Sequence, residues 1–202
     1  MNASLRTIVA APLTAQNFAP FGDLIEALGD SSEANQGRAQ RFDAPIDMAR
    51  ADARADVTGA HGLAGATAAT AAVEATMHAA PHAMRLHTAI YRIRHSALPF
   101  ALKLMERHPL SQQLFFPNSG ARFLVCACPA LSDGEPDLQG LRAFIGQRTQ
   151  GIVWCRGVWH SPFAALDADG DFLMQQWQCG APADCEGRPF AMPVMIEECG
   201  TS

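Results

Sequence analysis

The chain has 202 residues, of which 49% are hydrophobic, and a formal net charge of -5. This length is sufficient for one domain with a real core, and the acidic balance with no basic stripe argues against nucleic-acid binding. The six cysteines form no C-x-x-C pair. Because no stretch resembles a signal peptide or a membrane span, we expect a cytoplasmic protein without a membrane partner.

Short runs of alternating or apolar residues dominate the chain, and turn sequences such as PNSG and SDGEPD separate them. Many short strands at this spacing indicate a sandwich or a barrel rather than alternating helices and strands. The strand-like runs are RTIVA (6–10), HTAIYRI (87–93), ALKLMER (101–107), QQLFFP (112–117), ARFLVCA (121–127), LRAFIG (141–146), GIVWC (151–155) and DFLMQQW (171–177).

One early helix is predicted in TAQNFAPFG, with Thr14 as its N-cap and Pro20 ending it. An Ala-rich segment follows at about 47–84 and contains few large apolar residues. It has little to bury, so we interpret it as an insertion that joins two strands, and its three histidines as solvated residues. Apart from this insertion, the sequence predicts a single domain over residues 1–202.

The stretch ALKLMERHP places charged residues where the neighbouring pattern predicts a core. Strand alternation puts one set on the same face: Leu102, Leu104, Glu106 and His108. The opposite face then takes Lys103, Met105 and Arg107. Because the leucine face is the better core candidate, Glu106 and His108 are predicted to point inward and Arg107 outward. A buried carboxylate needs a cation, a hydrogen-bond donor or a metal, which either a catalytic site or a structural Glu–His pair would supply.

The stretch GVWHSPF adds a second inward group, because His160 lies on an apolar strand between Val158 and Pro162. A single inward histidine is usually a satisfied core residue. Two histidines and a carboxylate on separate strands of one barrel favour a functional site.

These residues resemble the metal-ligand motifs of the cupin jelly-roll, H-x-H-x(3,4)-E and a later P-x-G-x-x-H. Glu106 and His108 occupy the two His places, and Gln113 occupies the Glu place. GVWH, which ends at His160, matches the later motif with Cys155 in the place of Pro. The resemblance implies an all-β chain with a few short helices, folded as a cupin-type jelly-roll β-barrel. With these three replacements the four residues form a weaker set for a borderline divalent ion, which leaves open a weakly held metal, a substrate-dependent metal or no metal.

A closer resemblance is to the ureidoglycolate lyase family, also called ureidoglycolate hydrolases. It rests on ERHPLSQQLFFP, DGEPDLQGLRAFI and QGIVWCRGVWHSPF, together with the N-terminal PLTAQNFAPFGDLIE and NQGRAQRFD. The likeness covers nearly the whole chain apart from the Ala-rich insertion. Two places depart from the family: Gln176–Trp177 stands where its members have Asp-Arg, and Asp184–Cys185 stands where they have Asn-Cys.

The family resemblance implies cleavage of ureidoglycolate to glyoxylate and urea in allantoin and purine degradation. It implies nickel as the metal, no organic cofactor and a homodimer. The reaction needs an acid, a base and a cation for the substrate carboxylate. We expect Glu106, His108 and His160 to be catalytic.

Arginine is suited to bidentate carboxylate binding, and Arg41 and Arg92 are the predicted clamp, the latter on a face shared with Ile90. Gln113 is predicted to donate to a substrate oxygen or to complete a metal shell. Two other functions stay open from the sequence. One is a different metal-dependent cupin enzyme acting on a small hydroxy or keto acid, and the other is a non-catalytic module that binds glyoxylate.

Overall fold

The computed structural model describes residues 6–44, 46, 48 and 84–199. Except at its two ends, the Ala-rich segment lies outside the described residues, and so do its histidines, His61, His78 and His82.

The described residues form fourteen β-strands, one α-helix and two short 3-10 helices. The strands are β1 (Thr7–Pro12), β2 (Gly22–Ile25), β3 (Ser32–Ala34), β4 (Ala39–Arg41), β5 (Arg85–Ile93), β6 (Phe100–Arg107), β7 (Gln113–Pro117), β8 (Phe123–Cys128), β9 (Arg142–Gly146), β10 (Gly151–Trp154), β11 (Trp159–His160), β12 (Ala164–Ala165), β13 (Gly170–Gln178) and β14 (Glu186–Glu198). The helices are α1 (Ala15–Phe18) and the 3-10 helices Leu138–Gly140 and Pro182–Asp184.

Two large sheets make up the body of the fold. The larger has the order β11-β6-β14-β1-β9-β8-β12, and because β11 also pairs with β8 it closes into a barrel. The second sheet has the order β2-β10-β7-β13-β5, and β3 and β4 form a separate hairpin. The predicted all-β, cupin-type jelly-roll barrel is therefore confirmed. Among the described residues, no helix is long and apolar enough to span a membrane.

Apolar side chains fill two separate cores, and β8 is buried on both faces between them. Phe123 and Val125 pack in the aromatic-rich core between the two sheets. Leu124 and Cys126 pack in the core inside the closed barrel. Alternation along one strand thus supplies both cores, as a strand with two covered faces requires.

All eight predicted runs form strands, and the predicted helix is confirmed. Thr14 caps α1 through a capping box with Asn17, and the helix ends before Pro20. The sequence did not predict β14, because Pro189 and Pro193 interrupt its pattern. Proline lacks an N–H for the ladder, and the pairing of β14 with β6 indeed shifts register between Pro189 and Val194.

This register shift makes one prediction for β6 wrong. Leu102 and Met105 both pack in the barrel core, although strict alternation would place them on opposite faces. Leu102 therefore does not share a core with Glu106 and His108, which face the region between the sheets. The shift sets residues 190–193 of β14 against Lys103 alone, an irregularity that alternation along β6 cannot anticipate.

Candidate active site

The end of β6 and the short strand β11 bring together Glu106, His108 and His160, which we call the histidine cluster. His160 pairs directly with Glu106 across the two strands. The carboxylate oxygen Oε1 of Glu106 lies 3.8 Å from Nε2 of His160. The centres of the two imidazole rings are 5.2 Å apart. One potential metal-ligand atom from each residue lies within 4.8 Å of the others.

Backbone carbonyls fix the tautomer of both histidines. Nδ1 of His108 donates to the carbonyl of Asp184 at 2.8 Å. Nδ1 of His160 donates to the carbonyl of Val158 at 2.9 Å. Because a carbonyl can only accept, each proton lies on Nδ1 and each Nε2 carries a lone pair.

The Nε2 atoms of His108 and His160 are buried and have no hydrogen-bond partner among the described residues. A buried polar atom left unpaired costs about 1–3 kcal/mol. Two such atoms beside the same carboxylate indicate that a ligand completes this site rather than the protein itself.

The second sheet presents a cross-strand row of side chains toward the cluster. Register places Trp154 of β10 beside Gln113 of β7, Gln113 beside Gln176 of β13, and Gln176 beside His87 of β5. The first three are buried and His87 is exposed, so the row runs from the core to solvent. Trp154 stacks on the ring of His160 at 4.6 Å and 14° and closes the inner side of the cluster.

Burial governs the protonation of the cluster. It raises the pKa of Glu106, which favours the protonated carboxyl. Burial is the main cause that lowers the pKa of His160; the neighbouring His108 adds to the lowering and the Val158 carbonyl opposes it, and together they give a pKa of about 3. Burial also lowers the pKa of His108, against the Asp184 carbonyl and the nearby Gln113 side chain. The histidines are therefore neutral at pH 7, the form that can bind a metal.

The charge of Glu106 also acts on two further ionisable side chains, Tyr91 and Cys185. Burial raises the pKa of Tyr91, and the negative charge of Glu106 raises it further. Burial, and after it the charges of Glu106, Glu186 and Asp184, raise the pKa of the Cys185 thiol. Tyr91 is 43% exposed and the Glu106 side chain 28% exposed, so this side of the cluster opens to solvent.

The histidine cluster fits a divalent metal ion by its donor chemistry. Two neutral imidazoles with free Nε2 atoms and one carboxylate form a set that borderline ions such as zinc or nickel accept. The carbonyl contacts at both Nδ1 atoms are the outer contacts that usually orient metal-binding histidines. Gln113 offers a fourth candidate atom, because its buried Oε1 has no hydrogen-bond partner in the described part of the chain.

The predicted arginine clamp does not gather at this cluster. Arg92 forms two hydrogen bonds to Asp171 and its side chain is 77% exposed. It follows Tyr91 on β5 and so lies on the opposite face of that strand. Arg41 lies on β4 of the separate hairpin, is 66% exposed and pairs with Asp43.

Arg107 lies on the opposite side of β6 from the cluster, as predicted, but it is covered rather than solvated. Its side chain is 13% exposed and pairs with Glu186 at 2.8 Å. The guanidinium also lies 4.7 Å from the centre of the Trp159 ring.

Sequence reasoning did not identify Trp154, Gln176 and Tyr91 as residues around the cluster. Their proximity arises from strand register between segments that are distant in the chain. The departure at Gln176 from the family pattern was the one sequence signal that pointed to this row.

The family model of ureidoglycolate lyase matches residues 5–197. The chain belongs to the ureidoglycolate lyase family. It is 35% identical to a ureidoglycolate lyase of Chelativorans sp. (strain BNC1), over 84% of this chain and 84% of the relative. It is 31% identical to that of Pseudomonas putida (strain W619), over 95% of this chain and 96% of the relative. A relative from Pseudomonas fluorescens is 33% identical over 92% and 93%. These relatives support a lyase enzyme.

The solved structures that match the chain are much less similar to it than these relatives. A dTDP sugar isomerase from Desulfovibrio desulfuricans G20 has a TM-score of 0.39 and 15% identity, covering 84% of this chain and 86% of that chain. The dTDP-4-dehydrorhamnose 3,5-epimerase of Bacillus anthracis has a TM-score of 0.37 and 14% identity, covering 62% and 76%.

Proposed function

We propose that this protein cleaves ureidoglycolate to glyoxylate and urea, as a step in the breakdown of allantoin and purines. The observation that carries the proposal is the pair of buried, unpartnered Nε2 atoms beside the Glu106 carboxylate, in a chain of the ureidoglycolate lyase family. The proposed catalytic residues are Glu106, His108 and His160.

The chemistry is the collapse of a carbinolamine. The hydroxyl proton is removed, the carbonyl of glyoxylate forms as the carbon–nitrogen bond breaks, and the bond's electron pair goes to the leaving nitrogen. Protonation of this nitrogen gives urea. No water is consumed, so one group that takes the hydroxyl proton and returns a proton to nitrogen balances the reaction.

Glu106 is the group suited to carry this proton. It lies at the open side of the cluster, where a substrate can contact it, and burial raises its pKa. A raised pKa makes a carboxyl group a stronger base and so better able to take up a proton than an ordinary glutamate, and it can then return that proton to the leaving nitrogen. His108 and His160 are buried with their Nδ1 protons held by carbonyls, which suits them to hold an ion or a substrate oxygen.

A weakly held divalent ion, nickel by the family resemblance, would be bound by Glu106, His108 and His160, with Gln113 as a further candidate. When bound, such an ion polarises a hydroxyl or carboxylate oxygen as a Lewis acid. The protein residues keep the histidines neutral, orient them and exclude water on the Trp154 side.

The carboxylate clamp of Arg41 and Arg92 stays a prediction. If Arg92 or Arg41 binds the substrate carboxylate, its alanine variant raises KM with little change in melting temperature. An unchanged KM in both variants removes them from the site.

We further propose a homodimer and a cytoplasmic location, both on the sequence expectations given above. The assembly is tested by light scattering, where a mass equal to one chain would reject the dimer.

The test of the function uses protein stripped with a chelator and then supplied with single divalent ions. Urea and glyoxylate are both quantified after addition of ureidoglycolate. We expect equal amounts of the two products, released fastest with one borderline ion. Ligand binding without either product under any ion would instead indicate the glyoxylate-binding module.

A further inference from the structure

Three glutamine side chains form a connected ladder beside the histidine cluster. Nε2 of Gln113 donates to Oε1 of Gln176 at 3.1 Å. Nε2 of Gln178 donates to the same Oε1 at 3.1 Å. Gln113 is 4% exposed and Gln176 is 1% exposed, so the ladder is part of the buried wall of the site.

The backbone carbonyl of Asp184 determines which way the amides face. Nε2 of Gln176 donates to this carbonyl at 3.4 Å, which turns Oε1 of Gln176 toward Gln113. Gln113 must then present its NH₂ group to Gln176, and its own Oε1 is left facing away. The same carbonyl accepts the Nδ1 proton of His108. One backbone atom therefore orients both the histidine and the ladder.

Oε1 of Gln113 is the atom that this arrangement leaves free. It is buried and has no hydrogen-bond partner among the described residues. Gln113 lies within hydrogen-bonding reach of the His108 ring, where an accepting amide oxygen raises the histidine's pKa. In the neutral tautomer the only ring proton is on Nδ1 and goes to the Asp184 carbonyl, so His108 has no N–H left for Oε1, which stays unpaired among the described residues. A buried acceptor needs a donor and repels a carboxylate oxygen. Because the substrate hydroxyl gives its proton to Glu106 in the proposed reaction, the ureido N–H groups are the donors that remain for Oε1.

We propose that Oε1 of Gln113 accepts a hydrogen bond from an N–H of the substrate's ureido group, and that Gln176 and Gln178 hold it in this orientation. This inference rests on the proposed function. It names the substrate group, the ureido group, that the site would recognise. The site would then select substrates by a urea-type amide on the leaving side, while Glu106 acts on the hydroxyl. Gln113 contacts the substrate, and Gln176 and Gln178 are positioning residues.

The test measures binding of two small carboxylates by titration calorimetry, so that it does not depend on turnover. N-carbamoylglycine keeps the ureido group but lacks the hydroxyl group, and therefore cannot collapse. Glycolate keeps the hydroxyl and the carboxylate but has no ureido group. The variants are Gln113→Met and Gln176→Met, with Gln178→Met as a milder change if a buried variant fails to fold.

The matched control is Gln175→Met, because Gln175 neighbours Gln176 on β13 but faces the other side and bonds Thr88. Loss of one neutral hydrogen bond predicts a Kd for N-carbamoylglycine raised about threefold to tenfold in the ladder variants. The Kd for glycolate is expected to stay unchanged, and the control to behave as wild type.

Equal weakening of both ligands would overturn the proposal. So would weaker binding of Ni²⁺ by Gln113→Met with N-carbamoylglycine unaffected, since Gln113 would then be a metal ligand. The two proposals can fail separately. If only the lyase proposal is wrong, N-carbamoylglycine still binds and the ladder variants still weaken it, but ureidoglycolate releases no urea.

Discussion

The polar side chains on the two sides of β6 differ in whether their hydrogen-bonding atoms find partners within the protein. On one side, Arg107 bonds Glu186 and the carbonyl of Gly134, and it stacks on Trp159. Arg188, which is bonded to Glu135, lies on the same ring. We call these five side chains (Arg107, Glu135, Trp159, Glu186 and Arg188) the tryptophan cluster. On the other side, the histidine cluster leaves two imidazole nitrogens unpartnered among the described residues.

The difference separates structure from function. A charged group whose donors all find partners inside the protein stabilises the fold and has no capacity left for a ligand. A cluster with free lone pairs costs stability, so its retention favours a role that a bound ligand completes. The comparison predicts that changes on the histidine side affect catalysis and that changes on the tryptophan side affect folding.

The largest effect is expected for Glu106→Gln, which keeps the size of the side chain but removes the proton carrier. Loss of a general acid–base group lowers kcat by about 10²- to 10⁴-fold. The melting temperature should hardly change, because Glu106 is partly exposed and its Gln replacement is neutral. A variant with wild-type turnover would remove Glu106 from the mechanism.

The next effect is on metal affinity in His160→Gln. Residues that merely orient a metal ligand contribute about 10- to 100-fold to affinity, so loss of a ligand itself should cost at least that much. Competition titration with Ni²⁺ measures the change. His95→Gln is the matched control, because His95 is exposed and away from the cluster. Equal affinity in both variants would argue against His160 as a ligand.

A smaller effect, on stability alone, is expected for Arg107→Ala. The change leaves Glu186 without this partner and removes the cation from the Trp159 ring, a loss of about 1.5–3 kcal/mol in the free energy of unfolding. Guanidinium chloride unfolding measures it, with Arg148→Ala in an exposed turn as the control. If Arg107→Ala instead abolishes turnover of the folded protein, the separation of the two sides fails.

The most gradual effect, and the smallest for a change of one pH unit, is a pH dependence of stability in chelator-treated protein. The pKa of His160 is about 3 in the folded state and 6.5 ordinarily, so the unfolded state binds more protons between these values. Stability is therefore lost as pH falls below 6.5, by on the order of 1 kcal/mol per pH unit. His108 acts in the same direction, and the raised pKa of Glu106 opposes it. His160→Gln should reduce the slope, and an identical slope would contradict the assigned burial.

Much of the fold could be predicted because its strands carry local signals. The alternation of apolar residues and the turn sequences gave eight strands, and Thr14 and Pro20 gave the helix. β14 was not predicted because Pro189 and Pro193 interrupt its alternating pattern. The register between β14 and β6 shifts at these prolines, and Leu102 of β6, which pairs next to the shift, lies on the face opposite to the predicted one.

Glu106, His108 and His160 could be found from sequence because they lie in short motifs with fixed spacing. The wall around them could not, because Trp154, Gln113 and Gln176 meet only through the register of three strands. The arginine clamp was chosen by chemistry alone. Sequence gave no sign that Arg92 has Asp171 directly beside it on the outer face of the sheet.

The most direct test of the central claim is the nitrogen product formed from ureidoglycolate by the metal-supplied protein. Because a carbinolamine also collapses slowly without an enzyme, Glu106→Gln serves as the blank. The account predicts urea in an amount equal to glyoxylate, far faster than in the blank and without ammonia. Ammonia and carbon dioxide beside glyoxylate would mean hydrolysis of the ureido group, and equal rates in wild type and blank would mean that the histidine cluster does not catalyse the reaction.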